Sequence, residues 1–230
     1  MDKRRFLIFD YCENFEYFRQ HKEGYETRET KTLSENIFCK QIRIMMALQE
    51  STFAGEDYQA WRKELVEICH GQVASLQREL IAVKMRLRYV EKYQKAEAFT
   101  YISELDKGEL EKEIAPLVYL KDSDEFAKRF DNFMYGLMLA HLEQMPYLKY
   151  AKKQLCDMAM LLEKKITIPQ IKEKMPLIQE INTEAFWEAK DLLLFEKVRK
   201  ELRTLIQFLN EGEKKQQIIT KLTDPVTKSQ

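Results

Sequence analysis

From Thr32 to Leu209 apolar side chains return every three or four residues, and few helix breakers interrupt them. That spacing is the period of an α-helix, which gathers such residues on one face. Only 6 glycines and 5 prolines occur in 230 residues, so there are few places where a helix must stop. Leu, Lys, Glu, Ala, Met and Gln are plentiful, and these straight side chains lose little rotamer freedom in a helix. The sequence predicts a mainly α protein: an irregular multi-helix bundle preceded by one short orphan β-strand.

That strand is Phe6-Leu7-Ile8-Phe9, short, partly β-branched, aromatic and apolar on both faces. Strands of this kind sit inside sheets, yet nothing downstream offers partners. The expectation is that residues 1–19 are the last strand of a domain lying outside this sequence, with the segment that follows it. A polar linker, 20–31, leads to a helical domain at 32–212 and a polar tail at 213–230.

Thr32 and Glu35 make a capping-box pattern before a helix through about Ser51. Asp57 is the expected cap of the next helix, with Tyr58, Trp61, Leu65 and Ile68 on one face. Leu76, Leu80, Val83, Leu87 and Val90 continue that period, as one long helix or two joined at Gly71. Short helices follow at about Ala96–Ile102 and Lys107–Ala115, the second stopped by Pro116. Ser123 is expected to open a helix with Phe126, Phe130, Phe133 and Leu137 on its core face. Pro146 separates it from one carrying Ala151, Leu155, Met158 and Leu162. A short helix starts at Thr167 and Pro169 and is interrupted by Pro176. Thr183 begins the last long helix, with Leu194, Val198, Leu202, Leu205 and Leu209 inside and Gly212 as its stop.

Charge excludes a general polyelectrolyte partner, because 38 basic residues balance 38 acidic ones. Any nucleic-acid role must rest on a local patch. Cys12, Cys39, Cys69 and Cys156 are widely spaced and form no CxxC pair. They read as reduced thiols of a cytoplasmic protein. No apolar stretch approaches the ~20 residues of a membrane span.

Catalytic chemistry finds no motif. There is neither a G-x-x-x-x-G-K-[ST] nor a G-x-G-x-x-G loop to bring backbone N–H groups against phosphates. His21, His70 and His141 have no helical pairing for a metal, and adjacent Cys69 and His70 would point about 100° apart on a helix. Glu109/Glu113 and Asp122/Asp124 suit helix surfaces and N-termini. No catalytic, cofactor-binding or metal-binding residue is assigned. One basic segment stands apart: Arg78, Lys84, Arg86, Arg88, Lys92 and Lys95 against only Glu79 and Glu91. Lys84, Arg88, Lys92 and Lys95, at i, i+4, i+8 and i+11, form one stripe on a continuous helix. It reads either as a phosphate-tracking, DNA-contacting surface or as a solvated helix face.

The run Phe6-Leu7-Ile8-Phe9-Asp10-Tyr11-Cys12-Glu13-Asn14-Phe15-Glu16-Tyr17-Phe18 resembles the F-x-I-F-D-[YWF]-C-x-N-F-E-F-F segment of type I restriction enzyme R subunits, the restriction and translocation subunits. Similar in order and spacing are Leu87–Tyr93, Glu113–Leu117, Ala127–Asp131 and Phe186–Glu188. In that family the first segment closes the second motor domain and leads into a helical C-terminal domain. The resemblance implies a non-catalytic assembly domain that docks the motor and nuclease subunit onto the methyltransferase subunit, with duplex DNA as a second possible partner. ATP and magnesium belong to the parent subunit, an ATP-dependent type I site-specific deoxyribonuclease. Its phosphate loop, metal-binding box and nuclease motif have no matching residues here. The remaining alternative is an unrelated helical scaffold or adaptor.

Overall fold

Thr32 opens the helical body. In the computed structural model, which describes residues 31–120, 124–189 and 191–209, the Glu35 amide donates to the Thr32 hydroxyl at 3.2 Å. The Thr32 amide donates in turn to the Glu35 carboxylate. This reciprocal box satisfies donors that a helix start would leave unpaired, and α1 (Leu33–Ala47) follows. The chain's second unit also begins at Thr32, and every element below belongs to it. The strand expected at Phe6–Phe9, the tail at 213–230 and all but the last residue of the linker lie outside the described residues.

The order continues with α2 (Glu56–Ala74), α3 (Ile81–Lys84), α4 (Leu87–Tyr93) and α5 (Glu104–Glu109). Next come α6 (Glu125–Leu142), α7 (Tyr147–Glu163), α8 (Pro169–Glu173), α9 (Met175–Ile181), α10 (Glu184–Glu188) and α11 (Leu192–Arg203). Among the described residues there is no strand. The protein is mainly α, a multi-helix bundle.

Its centre is α6. Asp124 caps it, accepting at 3.0 Å from the amides of Phe126 and Ala127. Every residue from Phe130 to Ala140 is buried, because α1, α11 and α7 pack around it. Phe38, Ile42 and Met45 of α1, Phe195, Val198 and Leu202 of α11, and Leu155, Met158 and Leu162 of α7 join it in one core. Gly136 lets α1 approach: a Cβ there would stand 3.3 Å from Lys40 Nζ. The helix ends with Gln144 at φ 51°, where the Met145 amide donates to the Ala140 carbonyl at 2.9 Å. This is the left-handed cap that glycine normally supplies.

Several expected boundaries move. α1 stops at Ala47, and a short 3-10 turn occupies Ser51–Phe53. Gly55, not Asp57, caps α2, and Asp57 lies in its first turn. α2 passes through Gly71 without a break and ends after Ala74. Its buried stripe is Trp61, Leu65, Cys69 and Val73, and Ile68 is exposed. Ala96–Phe99 is a 3-10 turn. α5 starts earlier than expected because Ser103 and Asp106 form a second capping box. It runs into a π-helical stretch, Leu110–Ile114, and Pro116 sits inside the 3-10 turn Ala115–Leu117. Ile168 rather than Thr167 precedes α8, and Pro176 lies in the first turn of α9, where a missing N–H costs nothing. The last long helix is two. Thr183 caps α10, Asp191 caps α11, and Leu194 is only partly buried.

Candidate nucleic-acid interface

The basic segment does not form one helix. α2 ends after Ala74, and the chain turns through residues 75–80 before the single turn of α3. Arg86 then leaves helical geometry, with ψ 19°, before α4. Lys84 therefore ends one helix, Arg88 and Lys92 lie on the next, and Lys95 lies beyond its C-terminus. The i, i+4, i+8, i+11 stripe required a continuous helix, so that geometry is corrected.

The four side chains also differ in electrostatic state. Lys92 Nζ donates to Asp106 and Glu109 carboxylates, each at 2.7 Å, and lies 4.7 Å from the centre of the Tyr93 ring. The Tyr93 hydroxyl donates to the same Glu109 at 2.7 Å. Burial opposes charge on Lys92, but its bonds to Asp106 and Glu109 outweigh that and push its pKa above the ordinary lysine value. Burial would raise Asp106, yet bonds from Lys92, Ser103 and Tyr93 hold it well below the usual carboxylate range. Lys92 is thus a clamp joining α4 to α5, with its charge already neutralised.

Lys84 stands 3.5 Å from Glu79, an exposed pair worth little in water. Arg88 stacks over the Tyr89 ring at 4.4 Å and donates to its hydroxyl. Among the described residues neither Arg88 nor Lys95 forms an ion pair. Arg88, Lys92 and Lys95, with Glu91, Glu97 and Ala98, line a shallow surface cavity of about 530 Å³. Two cations remain available to phosphate here. Nearby, Arg86 pairs with Glu113 at 3.3 Å, and Arg78 reaches Glu91 at 4.0 Å.

The other residues singled out by sequence are structural. Cys69 is buried and donates to Gln41 Oε1 at 3.5 Å, and burial pushes its thiol pKa up. His70 is half-buried, its Nε2 2.8 Å from the Gln94 carbonyl. Cys69 and Cys156 are free thiols. Glu109 and Glu113 hold Lys92 and Arg86, and Asp124 is a helix cap. Cys12, His21, Asp122 and Ser123 lie outside the described residues. Among the described residues no group of three or more His, Cys, Asp or Glu is placed to hold a metal, and no helix is long and apolar enough to cross a membrane.

Sequence reasoning missed the strongest polar cluster. Arg199 on α11 donates twice to Glu196 at 2.7 Å and once to Asp131 on α6 at 2.7 Å. Arg203 donates to the other Asp131 oxygen at 2.7 Å. Arg199 also lies 4.9 Å from the centre of the Tyr135 ring. Burial opposes its charge, but the bonds to Glu196 outweigh that and raise its pKa. The available signals were Glu196 and Arg199 at i, i+3 and Asp131 beside the Phe130 and Phe133 face of α6. The partners of Asp131 stand 68 and 72 residues away, beyond any local pattern.

No family model, curated protein or solved structure matches this chain.

Proposed function

We propose that this chain is the C-terminal helical assembly domain of a type I restriction enzyme R subunit, docking the motor and nuclease subunit onto the methyltransferase subunit in the cytoplasm. One observation supports the reading: the four resembling segments that lie among the described residues each contribute side chains to the core of this bundle, while Phe6–Phe18 lies outside the described residues. From Leu87–Tyr93, Val90 and Tyr93 are fully buried; from Glu113–Leu117, Ile114 and Ala115 are fully buried. Ala127–Asp131 supplies Phe130 to the core and Asp131 to the Arg199 and Arg203 cluster. Phe186 packs against Phe195, their ring centroids 5.6 Å apart. Co-purification with the methyltransferase subunit tests this, and a saturable 1:1 complex is expected. Absence of a complex at micromolar concentrations refutes it.

A second reading, a DNA-contacting module, is favoured by Arg88 and Lys95, the two cations of the segment without a carboxylate partner among the described residues. Each phosphate contact they make would lower the salt dependence slope by about 0.9 when removed.

A further inference from the structure

α7 runs unbroken from Tyr147 to Glu163, with Lys164 as its C-cap. Ala151, Leu155, Met158 and Leu162 turn one side of it into the core, which fixes what the other side shows. At 3.6 residues per turn Lys149, Lys153, Met160 and Lys164 fall within about 60° of one another, and all four are exposed. The rise of 1.5 Å per residue sets Lys149 and Lys153 about 6 Å apart along the axis, and Lys164 about 22 Å from Lys149. Lys152 flanks the row, its Nζ 5.1 Å from the centre of the Trp187 ring. The continuous stripe that residues 84–95 lack is present on α7.

Its cations are uncommitted. Among the described residues Lys149, Lys153 and Lys164 form no ion pair. The acids of the same helix, Asp157 and Glu163, lie half-buried beside the row, and neither pairs with these lysines. Residues 147–174 carry seven lysines against three acids in a chain whose total is balanced. Lys174 alone of the seven is closed by carboxylates on both sides, Glu173 and Glu201. Like charges one helical turn apart repel, and an anion laid along the row relieves that repulsion.

We propose that the outer face of α7 lies along the backbone of duplex DNA, with Lys149, Lys153 and Lys164 each neutralising one phosphate. This rests on the DNA-contacting reading above and gives it a face that does not depend on Arg88 or Lys95. Charge complementarity selects the occupant. Lys149 and Lys153 are close enough to serve neighbouring phosphates of one strand, and Lys164 reaches past a groove ~12 Å wide to the other. Lysine is depleted from protein–protein interfaces, which favour aromatic residues, Met and Arg, whereas it is an ordinary phosphate contact. The apolar side of α7 is packed in the core, so the helix has no face to sink into a membrane.

The 230-residue chain is titrated into labelled duplexes of two unrelated sequences, over a salt series from ~50 to ~200 mM, alongside K149Q/K153Q/K164Q, R88Q/K95Q and K63Q/K197Q. Gln keeps helix propensity, and circular dichroism with a thermal melt checks each fold. K149Q/K153Q stands in if the triple variant melts early. Lys63 and Lys197 are exposed on α2 and α11, outside the row, and control for net charge. The triple variant should bind at least ~10-fold more weakly at ~50 mM salt, equally for both sequences. Its slope of log affinity against log salt should fall by about 2.7, three contacts at about 0.9 each. K63Q/K197Q should stay within about twofold of wild type. Loss confined to R88Q/K95Q overturns the α7 face while the DNA reading stands. The same loss per lysine in the control as in the triple variant also overturns that face. Absence of wild-type binding overturns both. If the triple variant binds DNA normally but loses the methyltransferase subunit or phosphatidylserine vesicles, the choice of occupant is overturned.

Discussion

Asp131→Ala is the substitution whose cost the geometry sets most directly. The Asp131 carboxylate accepts from Arg199 Nη1 and Arg203 Nε, both at 2.7 Å. The Arg199 contact is buried on both sides, with side-chain exposures of 10% and 11%. A charge-assisted bond in such a place contributes roughly 1.5–3 kcal/mol, and breaking a buried pair costs roughly 3–5 kcal/mol because a charge is left uncompensated. Arg199 keeps both bonds to Glu196, which places the loss near the lower bound. Arg203 is 28% exposed and adds under about 1 kcal/mol. The expected total is about 3–4 kcal/mol, a large share of the ~5–15 kcal/mol typical of a domain. Urea unfolding followed by circular dichroism measures it, with Lys84→Ala as control. Lys84 meets Glu79 at 3.5 Å with both side chains over half exposed, so it should cost under about 1 kcal/mol. If both substitutions cost the same, burial does not set the strength of these pairs and the reasoning fails.

Four further outcomes are expected. Gln144→Gly should stabilise the fold by up to about 1 kcal/mol, since φ 51° suits glycine; a loss of stability in a thermal melt would contradict this. Acid should weaken the α4–α5 clamp. The pKa values of Asp106 and Glu109 are depressed when folded, so their contribution is full above their ordinary values near ~4 and is lost as pH falls through the folded values. Lys92→Gln should therefore move acid unfolding to higher pH, and an unchanged midpoint would refute the clamp. Burial, then its bond to Asp191, pushes Tyr58 up to about 12; stability from this group should fade between about pH 10 and 12, and ultraviolet titration of wild type against Tyr58→Phe reads it. The isolated chain should release no phosphate from ATP and cut no DNA, and turnover that survives repurification would sink that expectation.

Local signals were readable and distant ones were not. The Thr32 and Glu35 box, the Phe130 to Leu137 face and the Ala151, Leu155, Met158, Leu162 stripe each depend on neighbours within a few residues, and each is present in the fold. The basic stripe failed because periodicity carried through Arg86 and past Tyr93, where no glycine or proline announced that α3 and α4 end. Gly71 could join two helices or lie inside one, and the helix passes through it, since one glycine costs only about 1 kcal/mol. Glu196 and Arg199 are an i, i+3 pair on α11, but their meeting with Asp131 comes from tertiary packing of α6 on α11, which single-helix patterns cannot show. The difference between Lys92, neutralised by Asp106 and Glu109, and Arg88, without a carboxylate, likewise depends on how α4 meets α5.

Assembly through the helical domain is tested most directly by isothermal titration of the 230-residue chain into the purified methyltransferase subunit. The account predicts saturable binding at one site, with a negative heat-capacity change from apolar burial. A flat titration with folded protein on both sides would contradict it.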